Sequence, residues 1–527
     1  MSWYENAIIY HIYPLGFCGA PRFNEGGEPV RRLEKIYEWI PHFQELNVDA
    51  VYFGPVFESV EHGYDTTDYK MIDRRLGDNN MFREICETLH KEGIRVILDG
   101  VFNHVGRRFP QFVDIQQNGQ SSGYCGWFQN LNFGGSSPCG DPFWYEGWNG
   151  HYNLVKLNLQ NVGVCDHLID AINYWMEEFK IDGIRFDAAD CIDFNFFKRI
   201  RSFCKGKNPD FWLMGEIIHG DYNRWANPEM LDSVTNYECY KGIWSSHNDK
   251  NFYEIDYSIN RQSGTNGGIY RNIKLYNFVD NHDVNRLAST LRDKRNLGTC
   301  YTLLYAMPGI PSIYYGSEFG IEGAKQGGDD SPMRPCLNLA DMDVHSDIYR
   351  HIVKLGRIYR AYPALRTGVY RRINITNRQL LFAKEIDGQT VYVALNLDEN
   401  GFDWDFGTHY SGLVDVMTGN PVSVNNGNAH IHMEPFSSMI LVNDDIVNDQ
   451  TEPEATPAEV PRELHEGQHY RHFKGGQYTV LGVATHSETL EDMVVYRSDA
   501  DGSVWVRPKA MFMDKVGNGY RFTLLDD

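Results

Sequence analysis

The chain reads as α/β, folded as a (β/α)8 barrel with an inserted segment after the third strand, an antiparallel β domain behind it and a small β-rich tail. Three observations predict this. Eight short runs rich in β-branched and aromatic residues alternate with helical patterns up to residue 316. Acidic motifs follow the ends of several of those runs, where a barrel carries its active site. Beyond residue 365 the pattern changes to period-two alternation between Gly, Asn and Asp turns.

The eight runs are AIIYHIYP (7–14), AVYFGPV (50–56), RVILDGV (95–101), DGIRFDA (182–188), FWLMGEI (211–217), DSVTNY (232–237), YNFVDN (276–281) and IPSIYYG (310–316). Together with their helices they place the catalytic barrel at 1–364. The Gly-, Ser-, Trp- and Asn-rich stretch 107–160 is too long for an ordinary connection and predicts a small inserted domain over the barrel mouth. Its Trp127, Trp144, Tyr145 and Trp148 would either floor a sugar site or pack against one another. Segments QLLFAKEI, TVYVALNL and SSMILVND place an antiparallel β domain at 365–445. The acidic, Pro-rich stretch at 446–466 reads as a linker. Short strands such as YTVLGVAT and DMVVYRS place a β-rich domain of unassigned role at 467–527. Its His469, Tyr470, Arg471, Lys474 and Tyr478 form a basic and aromatic mix that reads as a surface feature.

Composition narrows the class of partner. Forty-nine basic against seventy-one acidic residues give a formal charge of -22, which disfavours nucleic acid and anionic membrane and favours a neutral, soluble ligand. No stretch approaches the roughly 20 apolar residues of a membrane span. The start, MSWYENAIIYHIYP, lacks a basic n-region and a cleavage site. Ten cysteines without CxxC spacing complete the expectation of free thiols in the cytoplasm.

Three carboxylates past separate strand ends point to glycosidic-bond chemistry. Cleavage with retention needs a carboxylate nucleophile and a protonated carboxyl on opposite sides of the anomeric carbon. Asp187 follows the run GIRF, and Arg185, two residues earlier, projects to the same face, where its guanidinium would keep Asp187 ionised. Glu216 ends the apolar run FWLMG, which would leave its proton available to a leaving oxygen. Asp283, beside His282 in VDNHD, is placed to stabilise an oxocarbenium-like transition state, and His104 in FNHV to donate to a sugar hydroxyl. Taken singly, each Asp is more commonly a turn or cap residue; the order of the motifs carries the weight.

Over residues 5–445 the chain resembles the α-amylase superfamily, glycoside hydrolase family 13. DGVFNH (99–104), GIRFDAAD (183–190), GEI (215–217) and FVDNHD (278–283) look like that family's four conserved regions in order. The resemblance implies Asp187 as nucleophile, Glu216 as acid/base and Asp283 as transition-state stabiliser. It further implies that Tyr64 of HGYD stacks under the sugar at the cleavage point and that His104, Arg185 and His282 bind its hydroxyls. Asp330 and Arg334 of GDDSPMR match a pair that holds the preceding sugar, and Ala188 looks like members directed to α-1,4 bonds.

The stretch GEIIHGDYNRWANPEMLDSVTNYECYKGI is most similar to cyclomaltodextrinases, neopullulanases and maltogenic amylases. That implies an α-glucan oligosaccharide substrate, hydrolysed at α-1,4 bonds of maltooligosaccharides or cyclomaltodextrins. Those enzymes usually carry an N-terminal β domain that this sequence does not show, so oligomeric state stays open. An α-glucosidase or transglycosylase, including a sucrose-acting one, is the alternative within the family. A catalytically silent sugar-binding barrel is the alternative from another class, although all three acids are present. No cofactor is required by this reading. Asn103 matches a calcium ligand of the family, but Asp190-Cys191 replaces the Lys-His of calcium-dependent members and GFCGAPRFNEGGEP lacks a calcium loop's alternating oxygens, so calcium is not predicted. The tail resembles a small bacterial domain of unknown function.

Overall fold

The computed structural model describes residues 2–265, 267–446, 464–472, 476–487, 491–513, 515–516 and 519–526. They fall into two compact units, Met1–Thr451 and Glu452–Asp527. The linker expected at 446–466 lies for the most part outside the described residues, as does Lys474.

In the first unit eight parallel strands form a barrel: β1 (Ile9–Ile12), β2 (Ala50–Phe53), β3 (Arg95–Gly100), β4 (Gly183–Phe186), β5 (Trp212–Gly215), β6 (Ser233–Val234), β7 (Tyr276–Asn277) and β8 (Ile310–Tyr314). Their order is β6-β5-β4-β3-β2-β1-β8-β7. A parallel bridge between Thr235 and Tyr276 joins the two ends, with the Asn236 N–H donating to the Tyr276 carbonyl at 2.9 Å.

Each strand sorts its side chains by alternation. Ile9, Ala50, Tyr52, Ile97, Trp212, Met214, Tyr276 and Ile310 fill the barrel interior. Their neighbours Tyr10, Val51, Phe53, Val96, Leu98, Ile184 and Leu213 face the helices. The same parity sends Asp99 and Arg185 inward at the C-terminal ends of β3 and β4, which positions the site.

The helices begin where side chains can cap them. Asp78 accepts from the Met81 N–H ahead of the helix Asn79–Lys91, Asn161 from Gly163 and Val164 ahead of Val162–Glu178, and Asp193 from Asn195 and Phe196 ahead of Phe194–Lys207. One unit departs from the expected pattern. Between β5 and β6 the described chain forms only a 3-10 turn, Tyr222–Arg224, and two helices, Tyr237–Asn248 and Phe252–Ser263, follow β6 instead. The connection is instead held by Asp221, which accepts from the Asn223 N–H, and by the buried Tyr222 and Trp225.

The stretch after β3 builds a three-stranded sheet from His104–Gly106, His151–Lys156 and Gly147–Trp148, with a helix at Pro110–Asn118. Tyr145 is buried there against Phe112, Phe143 and Tyr152, and Trp127 packs on Tyr124 and His167. Of the four aromatics considered from sequence, these two pack locally. Trp148 alone stacks on a site residue, His104, with ring centroids 5.3 Å apart.

Beyond the barrel, Val369–Ile375, Gln379–Ile386, Gln389–Asn396 and Ser438–Asn443 pair antiparallel in a six-stranded sheet. It covers a separate core that includes Leu381, Tyr392, Phe406 and Ile431. In the second unit, five antiparallel strands run in the order Val504–Pro508, Asp492–Ser498, Gln477–Thr485, His469–His472, Phe522–Asp526. Tyr470 belongs to the core of this unit with Phe512 and Phe522, and Tyr478 packs against it. The tail aromatics therefore hold its fold together rather than decorate its surface.

Trp175 ties the helix Val162–Glu178 to the barrel. It is fully buried, stacks on Phe57 at 4.5 Å and donates from Nε1 to the Tyr69 carbonyl at 2.6 Å. Trp175→Ala is expected to cost about 3–5 kcal/mol, from cavity formation and one orphaned carbonyl. Urea unfolding of the two proteins side by side checks this, and a loss below about 1 kcal/mol contradicts the packing described.

Candidate active site

Parallel register sets the first part of the site. Asp99 on β3 and Arg185 on β4 are direct neighbours across the ladder. The Arg185 Nη1 lies 2.9 and 3.0 Å from the two Asp99 oxygens and 3.0 Å from Asp187 Oδ1, while Nη2 lies 2.8 Å from Glu216 Oε2. All four side chains are buried. One guanidinium therefore serves three carboxylates drawn from the ends of β3, β4 and β5. Tyr52 and Tyr64 donate to Asp99 Oδ2 at 2.7 and 3.2 Å and complete its hydrogen bonding.

Ala188 follows Asp187 with φ 43° and ψ 47°, a left-handed conformation that is costly for a residue with a Cβ. This turn aims the Ala188 N–H at Glu216 Oε2, 3.2 Å away. The other oxygen, Oε1, accepts from the Tyr237 hydroxyl at 3.2 Å. Glu216 is thus buried and met by donors on both of its oxygens.

A correction concerns Asp187. Burial pushes its carboxyl well above the usual carboxylate range. Arg185 opposes this, but Glu216, Asp99 and Asp283 add to it. The sequence placed Arg185 beside Asp187 alone; the structure divides that positive charge three ways, so it does not by itself hold Asp187 ionised.

The opposite side of the site has its own partners. Asp283 lies 2.9 Å from His282 Nε2 and 3.0 Å from Arg334 Nη2. Burial opposes its ionisation, but His282, Arg334 and Arg185 together outweigh it and hold the carboxyl far below its ordinary value. Arg334 also donates to the His282 carbonyl at 2.9 Å and to Asp330 Oδ2 at 3.1 Å, with its guanidinium 4.5 Å from the Tyr13 ring centre. The loop after β1 packs so closely behind it that a Cβ on Gly16 would lie 2.2 Å from the Arg334 carbonyl oxygen.

Tyr64 stacks on His282, centroids 5.4 Å apart, and its hydroxyl meets His282 Nε2. His104 is buried with Nε2 3.9 Å from Asp187 Oδ2, and burial pushes its imidazole down to about 3. The Asn103 amide contacts Nδ1 at 3.1 Å. With that amide donating, the neutral ring carries its proton on Nε2, which has no hydrogen-bond partner among the described residues. His104 therefore presents a free donor next to Asp187.

The structure brings Asp187, Glu216, Arg185 and His104 together on one side and Asp283, His282, Tyr64, Arg334 and Asp330 on the other, all at C-terminal strand ends. Sequence reasoning passed over Asp99, Tyr52, Tyr237 and Asn281. Asp99 had a signal: a lone Asp in the apolar run VILDG demands a buried partner. The tyrosines and Asn281 had none. For calcium, the Asn103 carbonyl accepts from the Leu157 N–H at 3.0 Å and its amide is engaged by His104. Among the described residues no group of three or more His, Cys, Asp or Glu side chains is arranged to hold a metal. No described helix is long and apolar enough to cross a membrane, and all ten cysteines are free thiols.

Comparison with known proteins agrees with this geometry. A family model described as alpha amylase, catalytic domain, matches residues 12–350, and one described as a protein of unknown function (DUF1653) matches 468–522. A cyclomaltodextrinase from a Bacillus species is 30% identical over 426 residues, 76% of this chain and 74% of the relative. Neopullulanase 2 of Thermoactinomyces vulgaris is 29% identical, across 84% of this chain and 78% of its own. An intracellular maltogenic amylase of Bacillus subtilis is 27% identical, across 79% and 76%. A solved structure of a cyclomaltodextrinase matches with a TM-score of 0.75 at 27% identity, over 84% of this chain and 78% of that one. Fold, site and relatives define a glycoside hydrolase. The chain belongs to the α-amylase family, and within it to the cyclomaltodextrinase and maltogenic amylase type.

Because the folded state raises the Asp187 carboxyl above its unfolded value, ionised Asp187 destabilises the fold at neutral pH, and the penalty fades as pH falls through the folded value. Asp187→Asn is expected to raise the melting temperature by about 2–5 °C at pH 7. The gain should shrink progressively on acidification. A variant that melts lower than the parent at pH 7 contradicts the charge balance described.

Proposed function

We propose that the enzyme hydrolyses α-1,4-glucosidic bonds in maltooligosaccharides or cyclomaltodextrins with retention, through a covalent glycosyl-enzyme at Asp187. The observation that carries this reading is the single guanidinium of Arg185 shared by Asp187 and Glu216, which joins nucleophile and acid/base in one buried unit. Burial, with Glu216, Asp99 and Asp283 nearby, favours a proton on Asp187 in the resting site against the pull of Arg185. Productive binding places it on Glu216.

In the first half-reaction the Asp187 carboxylate forms a bond to the anomeric carbon as the bond to the leaving oxygen breaks, and Glu216 gives its proton to that oxygen. In the second, Glu216 takes a proton from water, the water oxygen bonds to the anomeric carbon, and the Asp187 ester bond breaks. Asp283, held ionised by His282 and Arg334, stabilises the positive charge that develops on the sugar in the transition state of each step. His104 Nε2 and Arg185 bind hydroxyls of the sugar at the cleavage point, with Tyr64 beneath it and His282 beside it. Asp330 and Arg334 hold the preceding sugar. The names of the relatives support a short or cyclic α-glucan as substrate. The ten free thiols and the likeness to an intracellular maltogenic amylase support a cytoplasmic location.

Asp187→Asn and Glu216→Gln are each expected to lower kcat on maltotriose at least about 10³-fold while circular dichroism stays that of the parent. The first product seen by proton NMR should be the α-anomer; a β-anomer or unimpaired variants overturn the assignment. Digests of maltotriose, cyclodextrin and sucrose should show hydrolysis of the first two. Treatment with EDTA should leave turnover within about twofold of the untreated enzyme, since the chain's own groups complete the chemistry proposed. Loss of activity restored by added calcium refutes that point.

A further inference from the structure

We infer that Tyr237 is a positioning residue for the acid/base, and that Asn281 couples it to the loop bearing Asp283. The inference rests on the role proposed above for Glu216. Tyr237 opens the helix after β6, directly beyond the strand end, and its ring is held by Phe278 at 5.0 Å and Tyr240 at 5.9 Å, both edge-on. Its hydroxyl donates to Glu216 Oε1 at 3.2 Å and accepts from Asn281 Nδ2 at 3.1 Å. Asn281 in turn accepts, through Oδ1, from the main-chain N–H groups of Asp283 at 2.8 Å and Val284 at 3.2 Å. An unbroken chain of hydrogen bonds therefore runs from Glu216 through two neutral side chains to the turn that carries the third carboxylate.

The two oxygens of Glu216 are not equivalent. Oε2 faces the Arg185 guanidinium at 2.8 Å and the Ala188 N–H at 3.2 Å, two donors that cannot give way to a third proton. Among the described residues Oε1 is bonded by the Tyr237 hydroxyl, which can rotate its own hydrogen. The transferable proton of Glu216 therefore resides on Oε1, the oxygen that Tyr237 orients. When that proton leaves, the hydroxyl hydrogen turns toward Oε1 and the hydrogen bond becomes charge-assisted, hence stronger. Burial keeps the phenol itself protonated throughout, with Glu216 and Asp283 adding to the effect. The charged and titratable groups around Glu216 are Arg185 on β4 and Asp187 just past it, Asp99 behind Arg185 on β3, and Asp283 after β7. Replacing a neutral hydroxyl by hydrogen changes none of them.

Tyr237→Phe keeps the ring and removes only the donor. Without it the carboxylate form of the acid/base is less favoured, so the proton is held to higher pH. The basic limb of the kcat/KM profile should move up by about 0.5–1 pH unit, since that limb reports the acid form in the free enzyme. On maltotriose kcat should fall about tenfold, with KM within about twofold, and the loss should be smaller on a 4-nitrophenyl maltoside, whose leaving group needs less proton donation. Tyr240→Phe, which leaves the ring cluster intact without touching Glu216, should leave the limb where it is. A Tyr237→Phe profile that superposes on the parent's, or an equal shift in Tyr240→Phe, overturns the inference. Glu216→Gln measured in parallel separates the two levels. If it retains full turnover, the proposed function falls; if it is inactive while Tyr237→Phe is unshifted, only the positioning role falls.

Discussion

The site depends on one buried cation. Arg185 is held between Asp99, its register neighbour on β3, and the carboxylates that end β4 and β5. Taking these charges out of water is costly, and leaving any one of them without a partner typically costs about 3–5 kcal/mol. The arrangement is stable only because each remaining oxygen finds a further donor: Tyr52 and Tyr64 for Asp99, Ala188 N–H and Tyr237 for Glu216. Asp187 is the exception. Beyond its contact with Arg185, the nearest donor among the described ion pairs is His104, at 3.9 Å, and burial pushes its carboxyl well above the usual range. A nucleophile must be under-satisfied in the resting enzyme, since an oxygen with all its lone pairs engaged is a poor one.

The two walls of the cleft are electrostatically unlike. On the Asp187–Glu216 side one cation serves three acids; on the Asp283 side His282 and Arg334 both serve one acid. The first arrangement retains a proton and the second excludes one. That difference lets three carboxylates within one cleft take different roles at a single pH, through partner count instead of residue type. The tyrosine rings between the walls keep the division in place, because Tyr64 reaches Asp99 on one side and stacks on His282 on the other.

Much of this could be read from sequence where the signal is local and periodic. The eight barrel runs were legible because parallel strands are buried on both faces, and the acids because each follows such a run. The β5–β6 connection was not, since NRWANPEM offers no periodicity from which to tell a helix from an irregular segment. Partner counts were equally hidden. Nothing in GIRFD tells that Arg185 also reaches Glu216, a residue 31 positions on, because the contact arises from the stagger of neighbouring strands. Tyr237 and Asn281 lie in runs that read as strand ends and turns, and only the closed barrel brings them together. In the tail, a basic and aromatic composition looked like a surface, yet Tyr470 is buried between the exposed His469 and Arg471.

The close approach of β4 and β5 rests on small residues, which explains why the acids are flanked as they are. A Cβ on Gly215 would lie 2.9 Å from the Ala189 Cβ and 2.5 Å from Leu231 Cδ1, so the residue before Glu216 has no room for a side chain. Ala188 must turn left-handed to swing the chain away from the β5 end while presenting its N–H to Glu216. A β-branched residue tolerates that conformation poorly. A larger residue at either position would move the Glu216 oxygen off the Ala188 N–H or the Asp187 turn off Arg185, and with it the partition of charge that separates nucleophile from acid. The sequences GE and DAA are thus the steric condition for one guanidinium to reach both carboxylates.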